Sequence, residues 1–186
     1  MSKFIVRAAM DTFFLDKEEN INWRILVAEG FGNAEGSKVI LSPIEVAYLI
    51  FKNRISLNPE LTFEEIIKKS SENDPLFPLK LTVYVDLREK RFIARTINLG
   101  SIDFEVFERE SDPLLSKSKY YVMIVPSEKS IPIRALYDAL ETAKNDGKIL
   151  TLAIVDQDGD ITYYNIESTL KFEVSLRLRR MDVISR

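Results

Sequence analysis

The stretch Lys148-Ile-Leu-Thr-Leu-Ala-Ile-Val-Asp-Gln-Asp-Gly-Asp-Ile-Thr-Tyr-Tyr-Asn-Ile166 decides the fold of the second half of the chain. Residues 149–155 form an apolar run of strand length, which predicts a central strand buried on both faces. Residues 156–160 form an acidic turn in which Gly159 can adopt a positive φ. Residues 161–166 are β-branched and aromatic, which predicts a returning strand. The stretch therefore predicts a hairpin with three aspartates at its tip and Lys148 at its base.

The segments around this hairpin predict a mixed β-sheet flanked by helices. Residues 92–97 and 103–108 have the pattern of a strand pair, and residues 120–125 form a further apolar strand. Residues 132–144 follow the spacing of an amphipathic helix. Residues 171–179 alternate strictly between apolar and polar side chains, which predicts a half-buried strand. Its apolar face carries Phe172, Val174, Leu176 and Leu178.

Helices are also predicted in the first part of the chain. Residues 42–45, Ser-Pro-Ile-Glu, combine an N-cap serine, a proline at the first helical position and the glutamate of a capping box. Residues 62–65, Thr-Phe-Glu-Glu, repeat the capping-box pattern and open a further helix. Asn20 or Asn22 would cap a shorter helix that ends near Glu29.

The polar segment at residues 71–75, Ser-Glu-Asn-Asp-Pro, is the best linker candidate. It divides the chain into a small α/β domain at residues 1–77 and a second domain with a mixed sheet at residues 78–186. The predicted fold class is therefore α/β, of the α+β kind.

Composition excludes several kinds of chemistry. The chain of 186 residues contains no cysteine and no histidine, which removes thiolate and imidazole metal ligands, Ser-His-Asp triads and imidazole acid–base catalysis. No run of about 18 apolar residues occurs, so we expect no membrane span, and the absence of cysteine is typical of a cytoplasmic protein. We expect no metal and no cofactor. A calcium loop is excluded because Gly159 lies between the second and third aspartates and no glutamate follows at the required spacing.

Three stretches carry a resemblance to a known family. Residues 41–49, Leu-Ser-Pro-Ile-Glu-Val-Ala-Tyr-Leu, resemble a helix of the amino-terminal domain of archaeal tRNA-splicing endonucleases. Residues 83–88, Val-Tyr-Val-Asp-Leu-Arg, through residues 103–107, Asp-Phe-Glu-Val-Phe, resemble the opening of their catalytic domain. Residues 152–164 resemble the hairpin that carries the family's acidic assembly loop. The resemblance implies intron excision from precursor tRNA without a metal or cofactor, leaving a 2′,3′-cyclic phosphate.

The family's reaction uses a tyrosine, a histidine and a lysine, because the 2′-hydroxyl needs a base, the leaving oxygen an acid and the phosphate a cation. By the resemblance, the tyrosine position is Phe107, the histidine position is about Lys117, and the lysine is kept as Lys148. An arginine of the family is replaced by Glu141, and a glycine expected near Ile97 is missing. A phenyl ring transfers no proton, and an unperturbed lysine is protonated at neutral pH.

The resemblance therefore implies a non-catalytic, structural subunit of an α2β2 heterotetramer, whose partner is a catalytic subunit and whose substrate, through the complex, is precursor tRNA. Asp156, Asp158 and Asp160 would insert into a basic cleft of a neighbouring subunit. The strand at residues 170–179 would pair within a dimer through Phe172, Val174, Leu176 and Leu178.

Other hypotheses stay open at this point. The acidic turn and Lys148 also fit a solvated hairpin beside a surface lysine. A homo-oligomeric endonuclease that uses Lys117 and Lys148 in an altered mechanism is one alternative function. An RNA-binding or protein-binding module outside the splicing enzyme is another, although the sequence pI of about 5.3 does not favour a free-standing nucleic-acid binder.

Overall fold

A computed structural model describes residues 3–9, 12–109, 111–169 and 175–180, with the backbone alone for the residues after Ile166. The chain divides into two compact units. The first runs to Asp86 and includes Asp112–Ser116, and the second contains the rest from Leu87 onward. The proposed domain boundary between residues 77 and 78 stays a prediction. Among the described residues, no helix is both long enough and apolar enough to traverse a lipid bilayer.

The first unit is built on a five-stranded sheet with the order β3-β4-β2-β1-β5, in which only β1 and β5 are parallel. Its strands are β1 (Phe4–Ala9), β2 (Thr12–Asp16), β3 (Asn33–Glu35), β4 (Lys38–Leu41) and β5 (Ile55–Asn58). Its helices are α1 (Trp23–Ala28), α2 (Pro43–Phe51) and α3 (Phe63–Asn73), and α4 (Phe77–Glu89) begins in this unit.

The start of α2 shows how local sequence fixes this unit. Ser42 and Glu45 form the predicted capping box, and Glu45 is itself only 4% exposed. The Glu45 carboxylate also accepts the backbone N–H of Gly32 at 2.9 Å. A Cβ on Gly32, whose φ is +66°, would lie 2.7 Å from Cγ1 of Val39 and 2.8 Å from the carbonyl oxygen of Ile40. Only glycine fits here without displacement.

Two expectations for this unit hold only in part. Neither asparagine caps α1 with its side chain. Asn22 occupies the N-cap position without a side-chain hydrogen bond. The Asn20 side chain instead accepts from the N–H of Ile5 at 2.9 Å and donates to the Ile5 carbonyl at 3.2 Å, which ties the loop to β1. The linker candidate at residues 71–75 is helical over its first three residues, since α3 continues through Asn73.

The second unit is a six-stranded mixed sheet with the order β11-β10-β9-β8-β7-β6. Its strands are β6 (Ile93–Leu99), β7 (Ile102–Phe107), β8 (Tyr120–Pro126), β9 (Ile149–Val155), β10 (Ile161–Thr169) and β11 (Ser175–Arg180). Only β8 and β9 are parallel, and the helix α5 (Ile133–Asn145) connects them. The predicted mixed α/β fold and the hairpin of β9 and β10 are confirmed.

One face of this sheet packs against α5. The apolar side chains that meet there are Ile102, Tyr121, Met123, Val125, Ala139, Ala143, Leu150, Leu152 and Ile166. They come from the sheet and from the apolar stripe that the 3.6-residue period places on α5. This packing fixes the end of α5 against the starts of β8 and β9.

The predicted interface strand at residues 170–179 is described only in part. Phe172 and Val174 lie outside the described residues. The backbone of β11 pairs antiparallel with β10, with Leu176 opposite Ser168 and Leu178 opposite Ile166. β11 is the last strand on its side of the described sheet. Its pairing with a second chain stays a prediction.

Candidate functional site

The ends of three neighbouring strands bring the predicted site positions into one region of the second unit. In the sheet, Glu105 of β7 lies opposite Tyr121 of β8, and Tyr121 is aligned with Leu150 of β9. Because paired residues share a face of a sheet, Glu105 and Tyr121 point to the same side. Phe107 ends β7, and Lys148 directly precedes β9.

Phe107 is buried at the position where the resemblance places a tyrosine. It is 3% exposed, and the guanidinium of Arg95 lies over its ring with Cζ 5.2 Å from the centroid. The ring therefore acts as an apolar and cation–π surface. It offers no group that could exchange a proton with a ribose hydroxyl.

Lys148 is placed by the end of α5. Gly147, with φ of +65°, donates to the carbonyl of Lys144 at 3.1 Å, and Lys148 donates to the carbonyl of Ala143 at 2.7 Å. These two bonds are the pair that defines a Schellman motif, which ends the helix. Asp146 is the C-cap residue of the same motif. The motif thus orients Asp146 and Lys148 together towards the start of β8.

The side chain of Lys148 is held by a carboxylate. Nζ of Lys148 lies 3.4 Å from Oε2 of Glu105, and their side chains are 15% and 24% exposed. Nζ also lies 4.1 Å from the centroid of the Tyr121 ring. A cation with these two partners is screened from solvent and compensated within the chain.

The same carboxylate oxygen has a second donor. The hydroxyl of Ser118, which is 8% exposed, donates to Oε2 of Glu105 at 2.9 Å. Lys117, at the expected histidine position, is exposed. The next lysine, Lys119, forms an exposed ion pair with Glu108, and this hydrogen bond raises the pKa of Lys119. The structure therefore brings Phe107 and Lys148 into the region of Glu105 and leaves Lys117 at the surface.

Tyr121 adds a hydroxyl to this region. Its O–H donates to Oδ2 of Asp146 at 2.6 Å. Burial is the main cause that raises the pKa of Tyr121; the hydrogen bond to Asp146 adds to the effect, and Lys148 partly opposes it. A tyrosine whose pKa is raised stays protonated at neutral pH and is a poor general base there. We call Glu105, Ser118, Tyr121, Asp146 and Lys148 the Glu105 cluster.

The acidic turn at residues 156–160 is exposed. Asp156 is used within the turn, because its Oδ1 accepts the N–H of Asp158 at 3.0 Å and that of Asp160 at 2.9 Å. The carboxylates of Asp158 and Asp160 have no hydrogen bond or ion pair to any residue in the described ranges. The turn is therefore a fixed backbone loop that presents two carboxylates to solvent. Among the described residues, no group of three or more metal-ligating side chains converges on one point.

Comparison with known proteins identifies the family. A model described as "tRNA intron endonuclease, catalytic C-terminal domain" matches residues 77–163, and one described as "tRNA intron endonuclease, N-terminal domain" matches residues 14–67. The chain is 30% identical over 160 residues to the tRNA-splicing endonuclease of Pyrococcus abyssi, a match that covers 84% of this chain and 91% of that protein. The chain belongs to the tRNA intron endonuclease family.

Two further relatives differ in how much of their own length this chain covers. The tRNA-splicing endonuclease of Methanococcoides burtonii is 35% identical over 140 residues, which is 74% of this chain but only 39% of that protein. That of Thermococcus onnurineus is 30% identical, with 84% of this chain and 91% of that protein covered. The chain thus matches nearly the whole of some family members and about two fifths of longer ones.

Within the catalytic family domain, sequence reasoning missed four members of the Glu105 cluster: Glu105, Ser118, Tyr121 and Asp146. One local signal was present, because Glu105, with Asp103, places charge on the half-buried face of β7. Such a charge needs a partner when the strand is half buried. The partner, Lys148, is 43 residues away, so no spacing rule connects the two.

Proposed function

We propose that this family member is a non-catalytic, assembly-promoting subunit of a tRNA-splicing endonuclease that removes introns from precursor tRNA. The observation that supports the proposal is the state of the site: Phe107, where the resemblance expects a tyrosine, is buried, and Glu105 compensates Lys148. Neither side chain is then free to transfer a proton or to face a phosphate. Lys117 is exposed and lies outside the Glu105 cluster.

The partner in this proposal is a catalytic subunit, joined with this chain in an α2β2 heterotetramer. The acidic turn supports it, because Asp158 and Asp160 are exposed while Asp156 holds the backbone of the loop. A loop whose shape is fixed before binding loses little conformational entropy when it enters a basic cleft. In the proposal, the strand at residues 170–179 adds a dimer interface and residue 77 ends the first domain.

Cleavage of an intron-containing precursor tRNA tests the catalytic part of the proposal. We expect no cleavage by the purified chain alone, and cleavage when a catalytic subunit with the full tyrosine, histidine and lysine set is added. Lys148→Ala serves as the contamination control. Intron excision by the lone chain that disappears in this variant would show an active enzyme and contradict the proposal.

The assembly part is tested by Asp158→Asn with Asp160→Asn, which leaves the Asp156 acceptor in place. We expect the subunit to remain folded and the mixed tetramer to separate into smaller species in sedimentation, because loss of one side of a desolvated charge contact costs roughly 2–5 kcal/mol. Glu60→Gln with Glu128→Gln is the matched control, since it removes two exposed carboxylates elsewhere. Raised salt should weaken the wild-type tetramer in part. A tetramer that survives the double aspartate change would show that the loop is only a solvated turn.

A further inference from the structure

Two donor groups of the chain converge on the Glu105 carboxylate. One oxygen of its carboxylate accepts from both Ser118 and Lys148. On the other side, Arg95 of β6 lies directly opposite Glu105 in the ladder. The Lys148 ammonium and the Ser118 hydroxyl thus converge on one carboxylate oxygen, while the guanidinium of Arg95 lies over the ring of Phe107. The other carboxylate of the Glu105 cluster, Asp146, is engaged by the Tyr121 hydroxyl.

Arg95 also has an unused donor. Its Nε is buried and has no hydrogen-bond partner among the described residues, while its guanidinium rests over the ring of Phe107. A buried donor without an acceptor is unfavourable, and guanidinium groups fit oxyanions better than any other partner. The unsatisfied Nε therefore indicates a place where an additional anion acceptor would be stabilised.

We propose that Ser118 and Lys148 form an anion-binding site that the chain fills with its own Glu105 carboxylate, and that Arg95, opposite Glu105 in the ladder, would donate to an external anion bound there. The ligand class that the site would otherwise accept is a small oxyanion, such as a phosphate or carboxylate group. Glu105 in this view is a positioning residue that withdraws Lys148 from any external phosphate. The proposal is independent of the assembly role, because it concerns the isolated chain without partner or RNA.

The test removes the internal anion and offers an external one. In Glu105→Ala the carboxylate and its volume are both lost, whereas in Glu105→Gln the charge is lost but the space remains filled. Each variant is titrated with inorganic phosphate, and in a second arm with acetate, at constant ionic strength set with chloride. Binding is followed by calorimetry and by the shift in melting temperature. Glu108→Ala is the matched control, because it removes a carboxylate from the exposed pair with Lys119.

We expect saturable phosphate binding by Glu105→Ala, at least about tenfold tighter than by Glu105→Gln, as one charge-assisted hydrogen bond can supply. Wild type and Glu108→Ala should show no saturable response. The added change Lys148→Met should abolish binding in the Glu105→Ala background. Acetate that binds as well as phosphate would assign a general oxyanion site, and weaker acetate binding a site that prefers phosphate.

Several results would overturn the proposal. Equal phosphate responses in Glu105→Ala, Glu105→Gln and wild type would show that the vacated space is not the site. Binding that is unchanged by Lys148→Met would exclude the lysine as a ligand. If Glu105→Ala does not fold, Glu105→Ser, which leaves a smaller cavity, is titrated in the same way. If neither variant folds even in saturating phosphate, the idea fails, because an external anion should then replace the missing carboxylate.

Discussion

The ion pair between Glu105 and Lys148 gives a quantitative prediction for stability. The changes are Glu105→Gln, Lys148→Met and the two together, which form a double-mutant cycle. Each single change leaves the other charge largely shielded from water, since the side chains are only 24% and 15% exposed. We expect each single variant to be destabilised. The double variant should be less destabilised than the sum of the two single losses.

The expected coupling energy follows from the geometry. Two unit charges 3.4 Å apart attract by roughly 5 kcal/mol at an effective dielectric constant of about 20. Solvent and neighbouring dipoles that rearrange around the remaining charge in each single variant lower this value, and hydrogen bonds to charged groups have a net value of about 1.5–3 kcal/mol. We therefore expect a coupling of about 2 kcal/mol, which corresponds to a factor of about 30 in the folding equilibrium.

Native-state hydrogen exchange of the β8 and β9 amides is the assay, because the two compact units need not unfold together. The pair between Glu108 and Lys119 is the control cycle, with side chains 56% and 44% exposed. An exposed pair of this kind couples by at most about 1 kcal/mol. Additive effects at Glu105 and Lys148, or a coupling no larger than that of the control, would refute the assignment of Lys148 as an internally compensated cation.

Three further predictions concern other positions. Because the folded-state pKa of Tyr121 is raised, its stabilising contribution is present below the ordinary pKa of 10.0 and is lost as pH rises through the folded value. The urea midpoint of the wild type should therefore fall above about pH 10, and Tyr121→Phe should make this fall smaller. An unchanged pH profile would contradict the prediction. Gly32→Ala should destabilise the first unit by about 3 kcal/mol, because the new Cβ overlaps its neighbours and φ is positive. Gly36→Ala is the control, since φ is +51° but the space around it is open, and it should cost about 1 kcal/mol in the same urea denaturation experiment. Phe107→Tyr with Lys117→His should not give cleavage of precursor tRNA, because position 107 is buried and a misplaced catalytic group loses on the order of 100-fold in rate. Cleavage rates near those of a catalytic subunit would contradict this prediction.

Local chemistry explains which parts of the fold the sequence predicts. The capping boxes that begin α2 and α3 involve neighbours three residues apart, so their residues specify the helix starts directly. The hairpin of β9 and β10 is equally local. The short strands β2, β3 and β5 were missed, because their five, three and four residues are too few to establish a period.

Only part of the candidate site was predictable from the sequence. Phe107 and Lys148 were found through the resemblance, and the structure places them in one region. What the sequence could not show is that Glu105 engages Lys148, or that Asp156 serves the turn while Asp158 and Asp160 remain exposed. Both facts depend on side-chain geometry rather than on residue type. The replacement of a family residue indicates lost chemistry, but the contact that takes its place appears only in three dimensions.

The parallel pairing of β8 and β9 also sets an order for folding. The hairpin of β9 and β10 closes over a five-residue turn, which can form on the order of microseconds. We expect the β8–β9 pair to form later, because closing the longer segment that contains α5 costs more conformational entropy than closing this turn. Glu105 and Lys148, 43 residues apart, meet only after that step. We therefore expect Lys148 to lose its solvent exposure late in the folding of the second unit, and amine labelling during refolding would test this.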